Sequence, residues 1–358
     1  MPVTHPRSPA GGYRRPVAGA MALAVMVGMS LLGGCGKEPG GDATQTAIAP
    51  DKNPPPEVPA VWPLTGLPGE VVERPAVAVK VENPKAARPQ AGLEQADLVW
   101  EEMVEGGESR FIVVFNSQLP EAVGPVRSIR PMDGPILGPT HGLLACSGGQ
   151  DRFISRAKAA GLQVLTEDSG GRGFFRSNQR SMPHNLYGRP ADLLAAADSS
   201  HGSLPAAEFA FADSPATATA AKDGRPAATM AVKLSAVAKP KWAWEETSGT
   251  YLRSEGDTPS ESADGVRLAA RNVIALTVDI KMAGGTDAAG SPIPETIIVG
   301  SGEGIVMTGG KALDIQWSKA SEGDPLVLKT PDGSVVTLAP GITWIELVPK
   351  TDGSWSVS

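Results

Sequence analysis

From residue 272 to residue 348 the chain is cut into short apolar runs by glycine-rich turns, and that cadence narrows the choice of fold more than any other feature. The runs cover 272–278, 295–299, 305–307, 326–328, 335–338 and 343–348. Each has the length of a strand, and turn residues separate them, as at Pro331-Asp332-Gly333, a hairpin signal. Helical periodicity is missing from this half. Residues 229–358 therefore read as a β-rich domain, a sandwich or barrel-like layer.

Residues 62–212 mix the two periods. The stretch 74–83 alternates with period two and reads as a strand, and 96–100 and 110–115 read as two more, the last apolar enough to be central. Residues 151–161 put Phe153, Ile154, Ala157 and Ala160 on one helical face, with Gly161 as the stop. Residues 190–197 read as another helix. The predicted class is α+β, an N-terminal mixed α/β domain followed by a mainly antiparallel β C-terminal domain. Between them, 213–228 is poor in bulky apolar residues and reads as a linker or long surface loop.

The N-terminus reads as a targeting segment. Arg7, Arg14 and Arg15 precede an apolar run from Val17 to Leu32, which ends in Leu32-Gly33-Gly34-Cys35. The run is short and glycine-rich for a membrane span, which needs about 20 apolar residues. A cysteine directly after Leu-Gly-Gly resembles the bacterial lipobox. That resemblance implies a lipoprotein signal over 1–34 and a lipid-modified Cys35 at the mature N-terminus. Residues 35–61 are rich in Gly, Pro and polar side chains and read as a tether. As a loose coil it would span roughly 30 Å. The body is then expected at the extracytoplasmic face of the cell membrane, with the lipid on Cys35 as its membrane partner.

Only one other cysteine, Cys146, is present, so no disulfide framework is expected. It ends an expected buried strand and reads either as a structural thiol or as a nucleophile. Loss of residues 1–34 would remove three positive charges and take the formal net charge from −7 to −10. An acidic body without a basic run argues against nucleic-acid binding.

An ordered series of motifs then becomes familiar. It runs from Pro63-Leu64-Thr65-Gly66-Leu67-Pro68 through Arg74–Asn83, Ala96–Glu101, Ser109-Arg110-Phe111, Gly124-Pro125-Val126-Arg127-Ser128-Ile129-Arg130-Pro131 and His184-Asn185-Leu186-Tyr187. Later come Tyr251-Leu252-Arg253, Arg271-Asn272-Val273 and Pro340-Gly341-Ile342-Thr343-Trp344. By these the chain resembles the YerB-like bacterial lipoproteins of the DUF3048 type over nearly the whole mature sequence. The resemblance implies two modules and a membrane location, and no established reaction. One segment departs: Cys146-Ser147-Gly148-Gly149 stands where the family pattern would have a glycine pair followed by serine.

The candidate chemistry centres on Arg127, Arg130 and Asp133, three apart in a Gly/Pro-hemmed segment. Arginine suits bidentate recognition of carboxylate or phosphate, and the spacing could put both guanidiniums on one side of a short helical turn. Either they form an anion pocket, or they pair internally with Glu101, Glu102, Glu105 or Asp133 and brace a loop. On a strand, Glu101 and Glu105 would share a face, with Glu102 on the other. Those carboxylates could do acid–base work, hold a hard cation, or be salt-bridge partners. Arg176, His184, Asn185 and Tyr187 form the other polar concentration, and Arg110 joins the candidates. His184 lacks Cys or His partners at ligand spacing, so no metal site is expected, and no cofactor is called for. The tryptophans 242, 244, 317 and 344 could be aromatic core or line a carbohydrate groove. No nucleophile elbow, P-loop, zinc-protease helix or dinucleotide fingerprint is present.

Two functions stay open on this reading. The first is a lipid-anchored protein that binds an anionic envelope ligand or a membrane-associated protein through an Arg-lined site. The second is a hydrolase or transferase acting on a phosphorylated or acidic envelope substrate, with His184 or a carboxylate moving protons.

Overall fold

The computed structural model describes residues 60–358. The signal segment with its cysteine and all but the last residues of the tether lie outside them. The described chain belongs to one compact unit spanning Glu57–Ser358. Among the described residues no helix is long and apolar enough to cross a membrane.

In the N-terminal part β1 (Val77–Glu82) pairs antiparallel with β3 (Ser109–Phe115), which pairs antiparallel with β2 (Leu98–Met103). Helix α1 (Asp133–Leu137) precedes β4 (Leu143–Cys146), which lies parallel to β1. Helix α2 (Asp151–Ala159) then crosses over to β5 (Gln163–Thr166), parallel to β4. A small hairpin of β6 (Phe174–Arg176) and β7 (Leu186–Gly188) leads to α3 (Pro190–Leu194). The stretch 213–228 holds α4 (Thr219–Asp223), with Ala218, Ala220 and Ala227 buried.

The C-terminal part begins with β8 (Thr229–Lys233), β9 (Pro240–Glu245) and β10 (Thr250–Glu255). It continues with β11 (Asn272–Thr286), β12 (Pro292–Ile297), β13 (Gly300–Thr308) and β14 (Lys311–Lys319). The last strands are β15 (Val327–Lys329), β16 (Thr343–Pro349) and β17 (Ser354–Val357). As the turn residues predict, Gly333 N–H closes a tight turn onto Thr330 O at 2.9 Å, between Lys329 and Val335.

Both parts build one 12-stranded sheet, ordered β15-β14-β13-β11-β16-β2-β3-β1-β4-β5 along its main path. The seam is the parallel pair β2–β16, with Leu98 opposite Thr343 and Glu101 opposite Glu346. A second sheet, through β10-β9-β8-β17, covers one face with Met230, Val232, Trp242 and Tyr251 against Phe111, Val113 and Trp344. Helices α1 and α2 cover the other with Met132, Ile136, Phe153 and Ala157 against Trp100, Ile112 and Val114. A strand covered on both faces must be apolar throughout, hence the unbroken run 111–115. The fold is mostly sheet, mixed and antiparallel, and the helices are short. The α+β expectation is met only in that coarse sense.

Three of the four tryptophans fall on the core side of the two readings, and the fourth, Trp244, is half-buried with its ring 5.0 Å from that of Tyr251. Trp242, Trp317 and Trp344 are buried, Trp242 and Trp344 meet edge to face at 5.2 Å, and Trp317 Nε1 donates to Thr277 O at 3.0 Å. Cys146 is fully buried where β4 ends, and burial pushes its thiol up to about 12, with the Asp133 charge acting the same way. That is the chemistry of a structural thiol.

Candidate functional site

The polar residues of the N-terminal strands collect at one end of the sheet, where the parallel strands β1, β4 and β5 finish. In open α/β sheets that end is where ligands bind. Because side chains alternate, the two faces carry separate networks there.

On the helix-covered face, Lys80 is wholly buried between Glu102, which it contacts directly, and Asp133, whose Oδ1 accepts from Lys80 Nζ at 2.8 Å. Burial raises the Glu102 carboxyl above its usual range against the pull of Lys80. Asp133 Oδ2 also accepts the Arg130 backbone N–H at 2.9 Å. Asp133 is therefore a buttress under the Arg130 loop and does not face a ligand. Residues 127–130 take no regular structure and helix begins only at Asp133, so no helical turn aligns the two arginines as the spacing suggested. Backbone bonds hold them instead: Arg127 N–H to Lys80 O at 2.8 Å, Ser147 N–H to Arg127 O at 3.0 Å and Ile129 N–H to Gly148 O at 3.0 Å.

Three guanidiniums converge beside this segment. Arg130 forks onto Glu105, with Nε–Oε1 2.5 Å and Nη2–Oε2 2.7 Å. Glu105 lies in the turn after β2, so it meets Arg130 and does not extend a strand face shared with Glu101. Arg127 Nε is 3.2 Å from Glu82 Oε2, and the other oxygen of that buried carboxylate is 2.8 Å from His184 Nδ1. Arg110 is 8 % exposed; its Nη1 donates to Ser128 O at 2.9 Å, and its nearest carboxylate, Glu105, is 3.8 Å away. Burial, and then the Arg130 charge, lower Arg110 to about 10, which leaves it protonated at neutral pH.

These arginines line a cleft of about 410 Å³, a size typical of small-molecule sites. Its lining includes Arg110, Arg127, Ser128 and Arg130. Gly149, Gln150 and Phe153, at the start of α2, line it as well. Asp168 after β5, whose carboxylate abuts Gly148, and Asp287, Ala288 and Ile293 from the β11–β12 ribbon complete the lining. Gly149 is required here: its φ is +155°, and a Cβ would sit 2.4 Å from Ile129 Cγ2.

The remaining candidates lie elsewhere. Arg176 bonds Glu167 and Asn185, each at 3.0 Å, along the β6–β7 hairpin, and Tyr187 stacks on Phe175 at 5.7 Å. His184 reaches the cleft only through Glu82. Glu101 faces the opposite side of the sheet, where Arg253 Nη2 reaches its Oε2 at 2.7 Å and Ser109 Oγ donates to its Oε1 at 2.6 Å. Arg253 also bonds Glu255 Oε2 at 2.9 Å. Glu346, which accepts from Trp242 Nε1 at 2.9 Å, is raised well above the carboxylate range by burial and by the Glu101 charge. Burial alone would lower Arg253, but Glu101, Glu255 and Glu346 more than offset it and raise its pKa. This is an ion network inside the seam, and it is braced rather than open. Sequence reasoning missed Lys80, Glu82, Asp168, Arg253, Asp287 and Glu346. Lys80 and Glu82 did carry a signal, as charges inside an alternating strand.

With that geometry in view, the comparisons with known proteins fall into place. Residues 64–203 match the family described as "Protein of unknown function (DUF3048) N-terminal domain", and residues 230–345 match its C-terminal domain. The chain belongs to the DUF3048 family. It is similar to "Putative lipoprotein YerB" of Bacillus subtilis (strain 168), with 27% identity over 301 residues, 82% of this chain and 87% of that protein. The crystal structure of the Bacillus subtilis YerB protein superposes with a TM-score of 0.70 at 25% identity, covering 84% of this chain and all of that one.

Proposed function

We propose that this chain is a lipoprotein, anchored through Cys35 at the extracytoplasmic face of the cell membrane, whose body binds an anionic ligand in the Arg110–Arg127–Arg130 cleft. One observation carries the binding half: Arg110, more than nine-tenths buried, opens onto the cleft with no carboxylate within hydrogen-bonding distance among the described residues. Arg130 is neutralised by a forked Glu105, and Arg127 by a single contact with Glu82. A guanidinium whose carboxylate neighbour, Glu105, stands at 3.8 Å and is already forked by Arg130 keeps donors for an incoming carboxylate or phosphate. The location rests on the basic, apolar, Leu-Gly-Gly-Cys35 start and on the description of the related YerB as a lipoprotein.

The hydrolase or transferase alternative requires a nucleophile beside a base. Ser147 Oγ lies 3.1 Å from Ser128 Oγ, and His184 Nδ1 is engaged by Glu82, so no such pair stands at the cleft among the described residues. Binding is therefore the reading to test first. The full chain in detergent is titrated calorimetrically with inorganic phosphate and with acetate, beside Arg127→Ala. Arg127 is part-exposed and has one carboxylate contact, so this variant keeps its fold. The expected result is saturable binding of one anion, weakened about tenfold in the variant. Absence of binding by either anion at millimolar concentration would falsify the reading.

A further inference from the structure

The cleft carries charges of both signs, and two of the negative ones make no close ion pair, although the Arg130 and Arg110 charges reach Asp287 across the cleft. Glu82 and Glu105 stand behind Arg127 and Arg130 as their partners. Asp168 and Asp287 also line the cleft, and neither lies within 4.0 Å of a lysine, arginine or histidine nitrogen among the described residues. Both positions are fixed by the fold. The Asp168 side chain lies over Gly148, where a Cβ would come within 1.7 Å of Asp168 Oδ2, so only glycine leaves room for it. Asp287 is set by its own turn, its Oδ1 accepting Ala289 N–H at 2.9 Å and Ser291 N–H at 2.8 Å. Those bonds, Ser291 first, hold its carboxyl below the usual range, so it is an anion at neutral pH. The turn caps the β11–β12 ribbon, which docks on α2 through Gln150 Nε2 to Thr286 O at 2.9 Å and Arg152 Nη1 to Ala283 O at 2.8 Å.

A purely anionic ligand would meet Arg110 and be repelled across the same small cleft by two carboxylates. A ligand with an ammonium group a few bonds from its anionic group turns that repulsion into attraction, because an ammonium offers three donors to carboxylate acceptors. Building on the anion-binding reading, we infer that the cleft takes a small zwitterion, its phosphate or carboxylate on the Arg110 side and its ammonium between Asp168 and Asp287. The ligand class is an aminoalkyl phosphate or an amino acid or short peptide with a free amino end. The C-terminal half of the chain then supplies specificity, through Asp287, to a site whose anion grip comes from the N-terminal half.

The test is calorimetry on the full chain in detergent with two matched pairs that differ in the ammonium. One pair is O-phosphoethanolamine and ethyl phosphate; the other is alanylalanine and its N-acetyl form. The expected result is that one ammonium-bearing member binds about tenfold tighter than its match, a ratio equal to roughly 1.4 kcal/mol. In Asp168→Asn and Asp287→Asn that ratio falls towards one, and the pair that shows it identifies phosphate or carboxylate as the anionic group. Equal affinities within both pairs overturn the zwitterion while leaving the anion reading in place, and so does a ratio that survives both substitutions. If no member of either pair binds at millimolar concentration, both readings fall. Each titration is repeated with Mg²⁺ and with a chelator. Ethyl phosphate bound in Mg²⁺ as tightly as O-phosphoethanolamine without it would show that the carboxylates serve a metal ion, and the inference is then wrong.

Discussion

At the scale of single residues, the sharpest contrast lies in the seam network, between a charge that must stay and a carboxyl that need not ionise. Arg253 is 1 % exposed and holds Glu101 and Glu255, with Arg88 Nη2 3.5 Å from Glu255 as the second cation. With Glu346 protonated, two cations balance two anions. Arg253→Met leaves buried carboxylates without their counter-ion and should cost about 3–5 kcal/mol. Glu346→Gln replaces a protonated carboxyl by a near-isostere that can still accept from Trp242, and should cost within about 1 kcal/mol. Urea unfolding of both variants at pH 7 decides it; equal losses would mean that Glu346 is ionised. The sequence disclosed the residue types here better than their partners. Arg130 with Glu105 was among the open pairings. Arg253 reaches Glu101 across 152 positions, and no local pattern reports a contact of that range. Lys80 and Glu82 sat in a stretch correctly read as a strand, but period two suggests one wet face, whereas this strand is covered on both.

Among the elements, the β11–β12 ribbon bears most on the site and was the least legible. Its base, 272–278, reads plainly as a strand. Its far end does not, because Gly284 and Gly285 take φ of +76° and +70° at an irregularity in the pairing. Glycine adopts that backbone without strain, and in sequence it reads as loop. Strands β8 to β10 escaped individual notice for another reason: inward Met230, Val232, Trp242 and Tyr251 alternate with outward Thr, Lys and Ala that carry little signal. By contrast, α2 was legible to within two residues, since its apolar face and its Gly161 stop are local. The ribbon tip rests on α2 largely through Arg152 and Gln150. Arg152→Ala removes donors to Ala283 O and Gly284 O, each bond worth about 1 kcal/mol. Hydrogen exchange over 283–291 should quicken about tenfold while the urea midpoint holds, as expected of local opening. Unchanged exchange would show that strand pairing alone fixes the tip, and with it Asp287.

For the whole molecule, the short acid-to-neutral range is where buried carboxyls at separate places act together. Glu102 lies under the cleft and Glu346 in the seam. Glu208 is buried at the foot of the β14–β15 region, where its Oε1 accepts Leu326 N–H at 3.0 Å. Burial raises all three, Glu208 to about 7 although the Leu326 bond and Lys319 pull it down. The sign follows from proton counts. Between the ordinary carboxyl range and the raised folded values, the folded protein keeps protons that the unfolded chain has released, so stability falls as pH rises. For Glu208 alone, a shift from 4.5 to about 7 amounts to roughly 3 kcal/mol across that window. Carboxyls held low, such as Glu255 and Asp287, lose their contribution only below the ordinary range and stay constant above it. The urea midpoint should therefore drop from pH 5 to pH 8, and Glu208→Gln should flatten that drop by removing one titrating group. A midpoint that holds level over the same range would mean that these carboxyls are already ionised in the fold at pH 5. Glu346 would then add a third anion to the ion pairs that Arg253 makes with Glu101 and Glu255 across the seam, where we read a protonated, hydrogen-bonded side chain.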